Sequence, residues 1–333
     1  MLRKILFVFI VVALVTIVAF TSGGAQEKIE KPIIAVDATV VTGEQQTTDL
    51  HRYFANRIEE ESGGRLLIHR VDPTVFGGFK QSTESMIMGA LQMSHMPNAN
   101  VAVHATGLMI YDMPFLFKDW DHMMRFANSE NGKKMEKQLE EKIGLKILFA
   151  YEDGPRAIFN RLKPLITPKD FEGMKIRVME NPVYIDTIKA FGGSPTPMSV
   201  TEIYLALKQG VLDGVDIAPY AFLVWKLEET AKYCSYTNHV NPPAYICVNA
   251  KWFYDLPKDL QEIVLRVSEE SAEYNHTKWS EDRARCDIIL KDNGVQITEV
   301  DSSLFEPVAR KIWEKYADQI GGWDIIQSAI DLR

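Results

Sequence analysis

The 333-residue chain lacks the local signatures of the common enzyme classes. It has no G-x-x-x-x-G-K-[ST] phosphate loop, no H-E-x-x-H metal helix and no G-x-S-x-G nucleophile turn. Its seven histidines, His95, His104 and His239 among them, are scattered without metal-ligand spacing. Each reads as structural, and no cofactor or metal is expected. Nucleophile triads assemble in space and are not excluded this way. Cysteine is scarce: Cys234, Cys247 and Cys286 form no C-x-x-C pair, and a chain this long needs no disulfide staple. Positive charge is outweighed, 37 Lys and Arg against 45 Asp and Glu, so a nucleic-acid footprint is not expected. No internal repeat or low-complexity linker is visible. Asn275-His276-Thr277 fits a glycosylation sequon, read as chance.

What the chain does have begins at the N-terminus. Arg3-Lys4 precedes a 16-residue apolar run, Ile5 to Phe20, and Ser22-Gly23-Gly24-Ala25 offers a cleavage site. This is the pattern of a secretory signal peptide over residues 1–25. The alternative is an uncleaved anchor slightly short for spanning a bilayer. No cysteine follows the run, which argues against a lipid anchor. Removing residues 1–25 takes two basic residues and no acidic one, so the net charge moves from −8 to −10. Export implies an oxidising compartment.

The rest reads as an α/β chain long enough for two domains. Strands are expected at Lys31–Val41, Arg65–Val71, Leu91–Met96 and Leu145–Tyr151. A helix is expected over Thr47–Ser62, stopped by Gly63-Gly64, a second after Gly77-Gly78, and a single charged helix over Asp121–Ile143. This rhythm predicts a mostly parallel sheet covered by helices. Lys258 to Asn293 holds no Gly or Pro, so one helix about 54 Å long at 1.5 Å per residue is expected across both domains, or two helices with a bend.

Asp170 to Tyr220 is the stretch around which the chain is organised. Lys175–Val178 reads as a strand, Asn181-Pro182 as an N-cap and first helical residue, and Gly192-Gly193 as a helix stop. Pro195 and Pro197 suggest an extended loop, Thr201–Gln209 a helix, and Val211–Ala218 another strand. Ligands of such sheets sit at the carboxyl ends of the strands, and Arg177 lies at one of them. There an anion would meet a guanidinium and free helix N–H groups together; otherwise Arg177 is a solvated strand-end arginine.

The wording G-M-K-I-R-V followed by G-G-S-P-T-P-M-S-V-T-E-I-Y-L-A-L-K-Q-G-V-L-D-G resembles the DctP-type solute-binding proteins of TRAP (tripartite ATP-independent periplasmic) transporters. Phe54–Leu66, Met113–Phe117, Gly154–Arg156, Trp252–Pro257 and Asn293–Ile297 extend the resemblance along almost the whole mature chain. It implies two α/β lobes, each a mixed sheet flanked by helices, hinged over a carboxylate ligand and crossed by the long helix. The expected limits are 26–153 plus 242–281 for domain I and 154–241 plus 282–333 for domain II. Asn241-Pro242-Pro243 stiffens the second crossing. Met113–Phe117 becomes a core plug near the hinge.

The resemblance carries the ligand arginine onto Arg177 and a second arginine onto Arg156, whose alternative is a hinge salt bridge to Glu152 or Asp153. Several pocket positions depart from the sugar-acid members. In Asp213-Gly214-Val215-Asp216-Ile217, Asp216 and Ile217 replace a D-G-x-E-N ending. Phe79 stands where an acid is frequent, Met96 where sialic-acid binders carry a glutamate, and Val200 where an aromatic often stands. Tyr184, Tyr220 and Tyr236 add aromatic surface. Fewer hydroxyl partners imply a carboxylate with an apolar or aromatic body. The resemblance further implies a periplasmic location, a monomer, and delivery to the small and large TRAP membrane subunits. A sensing subunit for a membrane receptor and an exported enzyme are the alternatives.

Overall fold

β-Branched runs alternate with amphipathic segments, and each run finds a place in one of two sheets. The computed structural model describes residues 31–39 and 46–333; the apolar N-terminal run and Val40-Val41 fall outside them. The first part of the chain gives β1 (Ile33–Ala38), α1 (Gln46–Glu61), β2 (Leu66–Val71), α2 (Phe79–Ile87), β3 (Met93–Pro97), α3 (Asn98–Ala102), α4 (Trp120–Ala127), α5 (Glu130–Ile143) and β4 (Leu145–Glu152). Next come β5 (Ala157–Asn160), β6 (Lys175–Val178), α6 (Pro182–Ala190), β7 (Ser194–Pro197), α7 (Ile203–Lys208), β8 (Gly214–Ile217), α8 (Pro219–Val224) and β9 (Tyr233–Tyr236). The chain ends with β10 (Pro243–Asn249), α9 (Ala250–Asp255), α10 (Lys258–Asp292), β11 (Gln296–Glu299), α11 (Glu306–Ile320) and α12 (Trp323–Ile330).

The first sheet has the order β2-β1-β3-β10-β4 and the second β11-β9-β5-β8-β6-β7. β1 runs parallel to β2 and β3, while β10 runs antiparallel to β3 and β4. β6 is parallel to β7 and β8, and β5 is antiparallel to β8 and β9. Both sheets are therefore mixed. Each receives one strand straight from the other across a short connection, and that strand arrives reversed.

Two local expectations need correction. Residues 121–143 form two helices, because Ser129 caps α5 by accepting from Gly132 N–H. The helices meet so closely there that a Cβ on Gly132 would lie 2.4 Å from the Phe126 and Ala127 carbonyl oxygens. Pro195 and Pro197 belong to β7, not to a loop; β7 is an edge strand, where a missing N–H costs no ladder bond. The short strands β5, β9 and β11 carry too few residues for a periodic signal.

α10 is continuous over 35 residues, about 52 Å. Leu260, Val264 and Val267 pack with Phe54, Ile58 and Phe149 beside the first sheet. Cys286 and Leu290 pack with Phe159, Val215 and Cys234 beside the second. All three cysteines are buried and unbridged. In the 113–117 segment, Phe115 takes a left-handed φ of 58° and donates its N–H to His239 O at 2.7 Å. Trp313 Nε1 on α11 donates to Pro114 O at 2.8 Å, so this turn is buried beneath the C-terminal helices.

Candidate functional site

A cavity lies between the carboxyl end of β3 in the first sheet and those of β6 and β8 in the second. This is the position that strand-end geometry favours for a ligand. Arg177 reaches it from β6 and is only 4% exposed. Its Nε donates to Met198 O at 2.8 Å, and among the described residues no carboxylate lies within ion-pair distance. Burial pushes its guanidinium down to about 9, and the neighbouring charge of Arg156 adds to the push. The group remains a cation at neutral pH, with no counter-charge of its own.

Arg156 follows the first crossing, where its backbone N–H donates to Val240 O at 2.9 Å and ties the two crossings together. The expected hinge partners were Glu152 or Asp153; the observed partner is Asp216. Arg156 Nε donates to Asp216 Oδ1 at 2.7 Å, a second nitrogen donates to Asp216 O, and the guanidinium stands 4.9 Å from the centre of the Tyr184 ring. Burial opposes the Arg156 charge, but Asp216 outweighs it and holds the pKa above the ordinary arginine value. Burial likewise opposes ionisation of Asp216, and Arg156 with His239 (3.6 Å) brings that carboxyl below its usual range. Arg156 is thus neutralised within the protein and Arg177 is not.

Phe79, Val200, Ile217 and Tyr220 line the same cavity, together with both arginines. Three expected residues fall outside the lining. Asp216 is fully buried behind Arg156. Met96 is in the core, with Thr83 Oγ1 3.1 Å from its sulfur. Tyr236 donates to Asp287 and carries Arg283 over its ring at 4.8 Å. Of the free N–H groups expected at the start of α6, that of Val183 is taken. Asn181 Oδ1 accepts from Val183 N–H at 2.9 Å, and its Nδ2 donates to Asp112 at 3.1 Å. Asp112 also accepts from Tyr184 and is pushed up to about 7 by burial.

Sequence reasoning misses His95, Asp153, Met179 and Trp225, all of which line the cavity. Met179 follows the last residue of β6, so the strand-end rule that selects Arg177 reaches it too, whereas His95 is the middle residue of β3 and is not singled out by that rule. Tyr220 donates to Asp153, whose carboxyl burial raises to about 6. The remaining wall, including Pro97, Ala218, Ala221 and Val224, is apolar.

Residues 38–319 match the family model of the bacterial extracellular solute-binding protein family 7, DctP. The chain belongs to that family. The binding protein is 28% identical over 264 residues to the 2,3-diketo-L-gulonate-binding periplasmic protein of Escherichia coli, covering 78% of this chain and 80% of that one. A TRAP periplasmic solute-binding protein from Sulfitobacter, solved with bound β-D-galacturonate, superposes with a TM-score of 0.83 at 28% identity, covering 90% of this chain and 99% of that one. One from Bordetella, with density assigned as pantoate, gives 0.85 at 26% identity, covering 90% and 99%. The two-sheet architecture with the long helix is that of these structures.

Proposed function

We propose that this binding protein captures an organic acid through Arg177 and hands it unchanged to the membrane permease of a TRAP system. One observation carries the reading: a buried guanidinium without a carboxylate partner lines a cavity between two sheets joined by short crossings. A planar two-pronged donor suits a carboxylate, and a pair withdrawn from water gains strength. The acids named for the Sulfitobacter and Bordetella proteins support the class. Arg156, its charge matched by Asp216, stands in the same wall and offers no free charge of its own.

Hinge closure would use crossings near Asp153-Gly154 and Asn241-Pro242, with domains divided at those points. Residues 1–25 are read as an export signal cleaved near Ala25, and the mature protein as a periplasmic monomer without catalytic activity. Its permease partners are the small and large TRAP membrane subunits.

The predominantly apolar lining favours a compact acid with an apolar or aromatic body over a polyhydroxylated one. Each hydroxyl left unpaired against such a wall costs about 1–3 kcal/mol. A thermal-shift panel of uronates, pantoate, branched keto acids and aromatic acids tests this. Pantoate or the keto and aromatic acids raise the melting temperature most if the reading holds. Stabilisation by uronates alone contradicts the apolar body, and no stabilisation by any acid contradicts the function.

A further inference from the structure

The cavity wall carries charge of both signs. Arg177 has no carboxylate within ion-pair distance among the described residues, while Arg156 is matched by Asp216. Asp153, in the first crossing, is the one acidic residue among those that line the cavity. Its Oδ1 accepts a hydrogen bond from the Tyr220 hydroxyl. Its Oδ2 has no partner among the described residues, and no Lys, Arg or His nitrogen of those residues stands within ion-pair distance of either oxygen. Tyr220 gives the carboxylate a bond but no counter-charge. Burial raises Asp153 to about 6 and the Tyr220 bond opposes the rise, so the group is mainly ionised at neutral pH. One cation and one anion, each without a charge partner, therefore face the same space.

A plain monocarboxylate answers Arg177 but leaves Asp153 facing a second anion. A dicarboxylate adds a third. Like charges repel more strongly in a cavity than in water, and a buried charge is tolerated when it is paired. A cationic nitrogen on the ligand removes that cost, because an ionised carboxylate only accepts hydrogen bonds. The rings of Phe79, Tyr220 and Trp225 line the same cavity, and aromatic faces attract a cation. A ligand hydroxyl could also donate to Oδ2. Such a bond has roughly half the strength of one between two ionised groups, and a hydroxyl draws nothing from the rings.

We propose that the ligand is a zwitterion, a compact acid whose apolar or aromatic body bears one cationic nitrogen. Its carboxylate pairs with Arg177 and its nitrogen with Asp153, which makes Asp153 a specificity-determining residue of the site. The proposal rests on the reading of the cavity as an organic-acid site and narrows that class to acids with no net charge. It also gives the cavity a means of rejecting dicarboxylates, since a second carboxylate meets Asp153.

Calorimetry on the mature chain at neutral pH tests it with matched series: isocaproate, 2-hydroxyisocaproate and leucine; butyrate, 3-hydroxybutyrate and 3-aminobutyrate; hexanoate, 6-hydroxyhexanoate, 6-aminohexanoate and adipate. Within at least one series the amino acid binds roughly tenfold tighter than its parent, and tighter than the hydroxy acid. Adipate binds more weakly than hexanoate. In Asp153→Asn the amino acid loses affinity while the parent acid binds several-fold tighter, a pair of opposite shifts that a damaged fold does not produce. Should that variant fail to fold, the wild-type order of 6-aminohexanoate, hexanoate and adipate decides the matter alone. An amino acid no tighter than its parent or its hydroxy form in every series, adipate as tight as hexanoate, or an undiminished preference in Asp153→Asn overturns the proposal while leaving Arg177 its role. Failure of every acid to bind the wild type overturns the acid-site reading and this proposal together.

Discussion

Arg177 and Arg156 show how two buried arginines lining one cavity come to differ. Arg156 is matched by Asp216 and has its charge reinforced; Arg177 is left with a backbone carbonyl and a depressed pKa of about 9. A bound carboxylate would supply what is missing. Arg177→Lys keeps the charge but loses the fork, so its affinity for an acid that stabilises the wild type lies between those of Arg177→Ala and the wild type. The titration also has a sign. A ligand anion favours the protonated guanidinium, so binding takes up a proton once the free site begins to lose it. Affinity is therefore flat near neutral pH and falls above about pH 9, approaching tenfold per unit; calorimetry between pH 7 and 10 checks this. Arg177 was legible because its place at a strand end and the surrounding wording agreed. Met96 and Asp216 were misplaced by one register step. Strand side chains alternate, so His95 meets the cavity where Met96 meets the core, and Ile217 meets it where Asp216 backs Arg156. A sequence without strand pairing does not say which parity faces in.

At the scale of elements, α10 and the first crossing constrain each other. Gly154 adopts a φ of +94°, and a Cβ there would come within 2.3 Å of the Trp279 ring on α10. Gly154→Ala therefore meets a strained backbone and an occupied space together. It is expected to lower stability by about 2–4 kcal/mol in urea unfolding. Trp279→Ala relieves the contact, so adding it to Gly154→Ala costs less than the two single changes would together, and a double-mutant cycle reads that coupling. The length of α10 was legible from the absence of Gly and Pro over its span. The break between α4 and α5 rests on one serine cap, a signal that charge periodicity masks. The four-residue strands β5, β9 and β11 are specified by the neighbours they pair with, and such partners are distant in sequence.

For the whole molecule, burial leaves several carboxyl groups reluctant to ionise. Asp112, Glu136 and Glu152 are pushed up to about 7 and Asp153 to about 6, each mainly by loss of water. Three of them, Asp112, Glu152 and Asp153, stand at the crossings or beside the start of α6. With the folded pKa above the unfolded one, the native state holds more protons between roughly pH 4 and 7. Stability therefore increases as pH falls through about 7 and 6. The histidines His95, His104 and His122, held below the ordinary histidine value by burial, act in the opposite sense below about pH 6.5, and Asp216 does so below its unfolded value near pH 4. The melting temperature without ligand is expected to be higher at pH 6.5 than at pH 8, and scanning calorimetry across that range checks it. None of this was legible beforehand, since pKa shifts follow from depth and depth follows from the fold. The two-lobed architecture was legible, because βαβ rhythm, prolines at the crossings and the uninterrupted helix all point to it.

The central claim is that Arg177 grips an acid which the rest of the site merely shapes. Isothermal titration of Arg177→Ala, beside the wild type, with an acid that stabilises the wild type tests it most directly. Losing one partner of a buried charge pair costs about 2–5 kcal/mol, so the Kd should rise roughly 30-fold to several-thousand-fold with the fold unchanged by circular dichroism. An Arg177→Ala protein that binds the acid as tightly as the wild type contradicts the account.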